Sequence, residues 1–187
     1  MATPPDFSVG QVLTAAHMDA VGLWKVDSGT LSGATTNFEG CFTDDFTNYL
    51  ITIDQVQVSG SANIYLKLMN GSSVTTGNDY FWATVRLNQS NVASNTASAT
   101  QPLGFTGFGH DGANNVPIGL IKLDVFAPKV AVRTLIKTAS VAYGGSETQT
   151  ADGAVRHNLV NAYDGIQFLT NTAVTMGGNV TIYGYRP

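Results

Sequence analysis

An all-β chain, folded as an antiparallel β-sandwich of jelly-roll type behind a short N-terminal helical anchor, is the expectation that three features set up. Apolar and polar residues alternate in run after run, and turn-forming pairs punctuate those runs at about 8–12-residue intervals. After residue 24 no stretch carries the 3.6-residue period of a long helix. The third feature is the stretch 118–143. In it Ile121, Leu123 and Val125 alternate with Lys122 and Asp124, and Ala127-Pro128-Lys129 makes a short connection. A second extended run, Arg133 to Tyr143, follows with Val132, Thr134, Ile136 and Val141 as strand formers. Two runs of this length predict a central antiparallel hairpin, with the shorter strands laid against it.

Taken in order, residues 1–24 stand apart. Pro4-Pro5 keeps the start extended, Thr14 is placed to cap a short helix over Ala15 to Val21, and Gly22 stops it. Two turns of helix are unstable alone, so Phe7, Val9, Leu13, Met18 and Leu23 need a surface to rest on. They either close one end of the β-domain or dock on a partner protein.

Residues 25–187 read as the β-domain. Lys25 to Leu31 and Thr36 to Phe42 are the first two strands, separated at Ser32-Gly33. Asp44-Asp45 then forms an acidic turn flanked by Phe42, Phe46 and Tyr49; without further placed ligands it reads as a turn bonding its own backbone rather than a metal site. Tyr49, Ile51 and Ile53 share a face, but Val56 and Val58 are out of phase with them, which predicts a β-bulge near Asp54-Gln55. Ile64, Leu66 and Leu68 mark a half-buried strand that Asn70-Gly71 ends. Asp79 to Leu87 is a further strand, with Tyr80, Phe81 and Trp82 in a row. Residues 89–119 have the least regular pattern and read as a long loop, in which Phe105 and Phe108 cover either the core or a neighbouring copy. Beyond the central hairpin, Val155 to Tyr163 and Ile166 to Thr170 predict a hairpin broken at Asp164-Gly165. Asn179 to Arg186, with Val180 and Ile182 opposite Thr181 and Tyr183, is the last strand.

Composition narrows the function classes. Charged residues make up 12% of the chain, about half the ~25% usual in soluble proteins, while hydrophobic residues reach 43%. There is enough apolar material for a core, and too little charge for a disordered chain. A net charge of −4 gives no electrostatic reason to expect nucleic acid or an anionic membrane as partner. No apolar run reaches the ~18 residues that a membrane-spanning helix needs. The first 24 residues hold no Lys or Arg and do not read as a secretory signal. Asn70, Asn88 and Asn179 match the glycosylation pattern and are taken as chance in an Asn-, Ser- and Thr-rich chain.

Chemistry finds little support. Cys41 is alone, and His17, His110 and His157 lie far apart, so neither a disulfide nor a metal spacing is seen. His110-Asp111 has no nucleophile placed beside it, and the glycines around it lack the Gly-Lys-Ser/Thr ending of a phosphate loop. Asp44, Asp45, Asp79, Asp111, Asp124 and Asp152 show no arrangement of a glycosidase pair. The expectation is no enzyme, no cofactor and no metal.

Two stretches carry a resemblance. Phe7-Ser8-Val9-Gly10-Gln11-Val12-Leu13-Thr14-Ala15-Ala16-His17-Met18-Asp19 resembles the opening of many small tailed-phage virion proteins of the minor-tail or tail-fibre-like kind. Gly177-Gly178-Asn179-Val180-Thr181-Ile182-Tyr183-Gly184-Tyr185-Arg186 is similar to their Gly-Gly…Tyr-Gly-Tyr close. Phe42/Phe46/Tyr49 and the strand ending in Ala127-Pro128 agree in style. The resemblance implies a virion structural protein assembled in the host cytoplasm, with other virion proteins as partners and a homotrimer as its form. As an appendage it would dock through Phe7, Gly10, Leu13, Met18, Leu23 and Trp24, and meet a host-surface glycan or protein with its β-domain. The alternative is a capsid decoration or cement protein that stabilises the head shell. Tyr80, Trp82, Phe105, Phe108, Tyr183 and Tyr185 are the expected contacts between copies or with a surface, since exposed aromatics in a charge-poor chain mark interfaces.

Overall fold

Alternation of side chains sorts the chain into two antiparallel sheets whose buried faces meet in one core. The computed structural model describes residues 22–89, 93–111, 119–144 and 147–185. The strands are β1 Trp24–Leu31, β2 Thr35–Phe38, β3 Asn48–Val58, β4 Ser61–Asn70, β5 Ser73–Val74 and β6 Tyr80–Asn88. They continue with β7 Ala93–Gln101, β8 Gly104–Asp111, β9 Gly119–Phe126, β10 Val132–Gly144, β11 Glu147–Asn161, β12 Gly165–Thr170 and β13 Met176–Tyr185. The larger sheet has the order β1-β13-β3-β9-β10-β11-β6-β7. The smaller is β2-β12-β4-β5, with β8 also pairing β4. Among the described residues there is no helix; the expected Ala15–Val21 helix lies outside them.

The expected central hairpin is present. β9 and β10 pair from Leu135 opposite Phe126 to Val141 opposite Leu120, and they occupy the middle of the larger sheet. Ile121, Leu123 and Val125 point inward beside Ile51 and Ile53 of β3. Across from them lie Ile64, Leu66 and Leu68 of β4 and Ile166 and Phe168 of β12. The bulge is present as well: the β3–β9 register shifts between Ile53 and Val56, where Gln55 takes a φ of 51°. That extra residue restores the inward phase of Val56 and Val58.

Three expectations are corrected. Residues 89–119 are not a long loop: β7 pairs β6, and β8 pairs β4. The glycines that suggested a loop serve close packing instead. At Gly107, with φ +87°, a Cβ would stand 3.1 Å from Ser140 Oγ and 3.3 Å from Ala151 Cβ. Asp164-Gly165 is not a hairpin turn, because β11 belongs to the larger sheet and β12 to the smaller. It carries the chain between sheets, held by the Asp164 amide donating to the Met69 carbonyl and by Asp164 Oδ1 accepting from the Gly71 amide. A Cβ at Gly165 would meet the Phe38 carbonyl at 2.6 Å, so the glycine answers a close approach. Finally, the second strand ends at Phe38, and the chain turns away before Phe42.

The acidic turn does bond to itself. Thr43 Oγ1 donates to Asp45 Oδ2 at 3.3 Å. The buried Tyr49 hydroxyl accepts from the Thr43 amide at 2.6 Å and donates to the Thr43 carbonyl at 2.7 Å. Phe42 and Phe46 pack against the Tyr49 ring, so this aromatic group anchors the loop between the sheets.

Candidate interaction surface

The outer face of the larger sheet breaks the usual rule for a sheet with one face in solvent. On β10, Thr134, Thr138 and Ser140 point inward and are buried, whereas Leu135, Val141 and Tyr143 point outward. β6 repeats this, with Thr84 inside and Val85 and Leu87 outside. On β9 the outward residues are Leu120, Lys122, Asp124 and Phe126. Over β9-β10-β11-β6 the outward side chains thus mix Leu, Val and Phe with Lys122, Lys137 and Arg156, while Thr, Ser, Ala and Gly supply much of the inner side. An antiparallel sheet in a lone protomer normally has the opposite polarity.

Strand register arranges this face in rows. One row runs Phe126–Leu135–Arg156–Phe81 across four neighbouring strands. The Arg156 guanidinium lies 4.5 Å over the Phe81 ring, so an apolar ridge is continued by a cation–π pair. The adjacent row runs Asp124–Lys137–Ala154–Ala83–Ala97. Its three alanines leave a trough beside the ridge. One depression of about 510 Å³ is lined by residues that include Phe81, Ala83, Phe126, Leu135 and Ala154. A second, of about 440 Å³, continues past Ala83, Ala97, Val85 and Asp152. Charge on the face is of both signs, with Lys122 3.9 Å from Asp124.

Of the expected contact residues, Tyr183 and Tyr185 lie on this same outer face. Tyr183 is opposite Leu50, and Leu50 opposite Asp124; Tyr185 is opposite Asn48, and Asn48 opposite Phe126. Partial burial, and secondarily Asp124, raises the Tyr185 hydroxyl above its ordinary pKa. Tyr80, Phe105 and Phe108 are corrected: all three are buried inside the protomer and offer no surface. The Tyr80 hydroxyl accepts from the Leu68 amide at 2.7 Å and shares a 2.7 Å hydrogen bond with Thr75. Trp82 is half-buried on the inner side, its ring 5.1 Å from that of Phe105. Leu23 is exposed, and Trp24 opens β1 with its indole stacked on Phe46 at 5.7 Å. Phe7, Gly10, Leu13 and Met18 lie outside the described residues.

Sequence reading missed Phe81, Leu120, Phe126, Leu135, Val141 and Arg156. The signal was present in Arg133–Tyr143, where Thr and Ser occupy one alternating set and Leu, Val and Tyr much of the other. Nothing in one strand says which set is inward, and grouping Thr134, Ile136 and Val141 as strand formers blurred the two faces.

Other reactive groups sit in ordinary packing. Burial, and secondarily Asp27, pushes the Cys41 thiol up to about 12, which keeps it protonated and unreactive. His157 is fully buried, shares a 3.0 Å hydrogen bond through Nδ1 with Tyr163, and stands edge-to-face with Tyr80. Among the described residues no three His, Cys, Asp or Glu side chains gather where a metal ion could be held. No helix there is long and apolar enough to cross a membrane. No protein-family model matches this chain, and no curated protein or solved structure is significantly similar to it.

Proposed function

We propose that this protein is a structural component of a tailed-phage virion. In this reading it is an appendage of the tail-fibre or minor-tail kind, docks through residues 1–24, and presents its β-domain at a host surface. It performs no catalysis and holds no cofactor, and its partners are other virion proteins and further copies of itself, three in the form the resemblance implies. The observation that carries the reading is the apolar outer face of the larger sheet, which is a surface made for assembly. The fold assignment that accompanies it is a jelly-roll sandwich. It is supported by the order β1-β13-β3-β9 in one sheet and β2-β12-β4-β8 in the other, since successive strands cross between the layers as two Greek keys require. In this assignment β10-β11 and β6-β7 are two hairpins that widen one sheet.

A cement role on the head shell is the second reading, favoured by the breadth of that face, which suits a lattice contact. Gold-labelled antibody on purified particles separates the two. Label at the tail supports the appendage, label over the shell supports the cement protein, and particles without label overturn both. Deleting residues 1–22 sharpens the result: an anchor predicts unchanged melting and loss from particles, whereas a collapsed melting transition makes the segment part of the domain.

A further inference from the structure

We infer that the outer face of the larger sheet carries a small-ligand site for an acyl or aryl carboxylate, its apolar body lying in the alanine trough and its carboxylate on Arg156. The inference goes beyond the virion reading and is tested independently of it. The site is the depression of about 510 Å³ beside the ridge. Ala154 and Ala83 form its floor, Leu135, Phe126 and Phe81 stand around them, and Lys137 and Arg156 are the charged residues that line it. Among the described residues no carboxylate lines it. Apolar walls with a few placed polar groups are the usual make-up of a small-molecule site.

Charge and shape together select the occupant. Asp124 stands opposite Lys137 and 3.9 Å from Lys122, so both lysines have a carboxylate at hand. Arg156 has none. Its cross-strand neighbours are Leu135 and Phe81, and Asp152 is four residues away on the same strand, about 13 Å. The guanidinium lies 4.5 Å over the Phe81 ring, and among the described residues its N–H groups meet no acceptor. The ring thus holds a planar fork of donors whose geometry matches a carboxylate. Ala154, Ala83 and Ala97 follow one another across three strands, about 10 Å from first to last. That is room for a medium-length acyl chain or a fused aromatic ring. Asp152 lines the continuation of the trough past Val85, which repels an anionic end on that side and directs it to Arg156.

Octanoate, with octanol as the neutral body of the same length, tests this by amide-shift NMR titration of the full chain. Octanoate is expected to bind with a Kd on the order of 1 mM, more tightly than octanol, with the largest shifts at Phe81, Ala83 and Ala154. Arg156→Gln is expected to weaken octanoate about fivefold, the size of an exposed ion-pair contribution, and to leave octanol unchanged. Ala83→Phe fills the trough and is expected to abolish binding of both ligands with unchanged circular dichroism. It keeps the inference falsifiable if the Arg156 variant folds poorly. Equal affinity for octanoate and octanol, octanoate binding insensitive to either substitution, or shifts centred away from the trough each overturn the inference. Lack of saturation by about 10 mM octanoate overturns it as well. None of these results bears on where the protein sits on a particle, which the antibody label reads by itself.

Discussion

The two halves of the larger sheet differ in what lines their inner side. Along β13-β3-β9 the inner side carries Ile, Leu and Val facing the smaller sheet, and Thr52, Thr181 and Lys122 are among the outward residues. Along β10-β11-β6 the inner side is packed on β8, with small and hydroxyl-bearing residues standing among Ile136, Val155 and Trp82, while Leu, Val and Phe share the outer side with Lys137, Asp152 and Arg156. One half is stabilised within the protomer. The other leaves part of its apolar surface exposed. Position contributes to the split, because β8 packs against β10, β11 and β6.

The largest expected effect tests the first half. Phe168 is fully buried in β12 and makes an edge contact with Phe38 at 6.2 Å. Phe168→Ala should cost about 3–5 kcal/mol, enough to unfold much of a marginal domain, as read by urea denaturation. A loss below about 1 kcal/mol would mean that the two sheets do not share a tight core. The next effect tests the small-residue lining of the second half. A Cβ at Gly153 would stand 2.7 Å from the Ala83 carbonyl, 2.8 Å from Thr84 Oγ1 and 2.9 Å from Thr138 Oγ1. Gly153→Ala should therefore destabilise by about 1–3 kcal/mol, since backbone must move. A neutral result would show that β6, β10 and β11 lie farther apart than the structure has them.

Legibility in the sequence followed the same division. Where one alternating set was clearly apolar, as in Ile64/Leu66/Leu68 or Ile121/Leu123/Val125, the strands and their inward faces were readable. The bulge at Gln55 was readable because a phase slip leaves a mark in the pattern. β7 and β8 were not, because Ser-Thr-Ala and Gly-rich strands look like loops until a neighbouring strand is known. The apolar outer face was hidden for a related reason: in β10 both sets contain strand formers, and only the position of the smaller sheet decides between them. Tyr80 and Phe105 show the reverse: an aromatic in a charge-poor chain reads as a surface contact, yet His157 and Tyr65, which help bury them, lie 77 and 40 residues away.

A smaller effect depends on pH and belongs to the second half. Burial holds the His157 imidazole below its ordinary pKa, with Asp79 opposing, while Tyr80 and Tyr163 pack on the ring. Nε2 is buried with no hydrogen-bond partner among the described residues, so the folded state has no place for the second proton. Below pH ~6.5 the unfolded chain takes up that proton and the folded chain does not. Stability should therefore be complete above that pH and decline as pH falls toward the lowered folded value, by at most about 1.4 kcal/mol per pH unit. His157→Gln should flatten the decline in melting temperature between pH 7.5 and 5. An unchanged slope in the variant would assign the acid sensitivity to other groups.

The smallest effect contrasts two adjacent residues. Leu135 is 50% exposed on the outer face, and Ile136, the next residue of β10, is 1% exposed in the core. The strand carries both, so propensity and position along the sheet are nearly matched, and only the side differs. Ile136→Ala removes fully buried methyl groups and should cost about 2–4 kcal/mol at any protein concentration. Leu135→Ala should change the stability of the separated protomer by no more than about 0.5 kcal/mol, because water already reaches much of that side chain. Its cost should appear only as protein concentration rises and copies associate, since an assembly contact enters stability by mass action. Melting each variant across a hundredfold concentration range reads this. If the Leu135→Ala deficit is large and independent of concentration, the outer face is stabilised within the protomer, and the contrast between the halves fails.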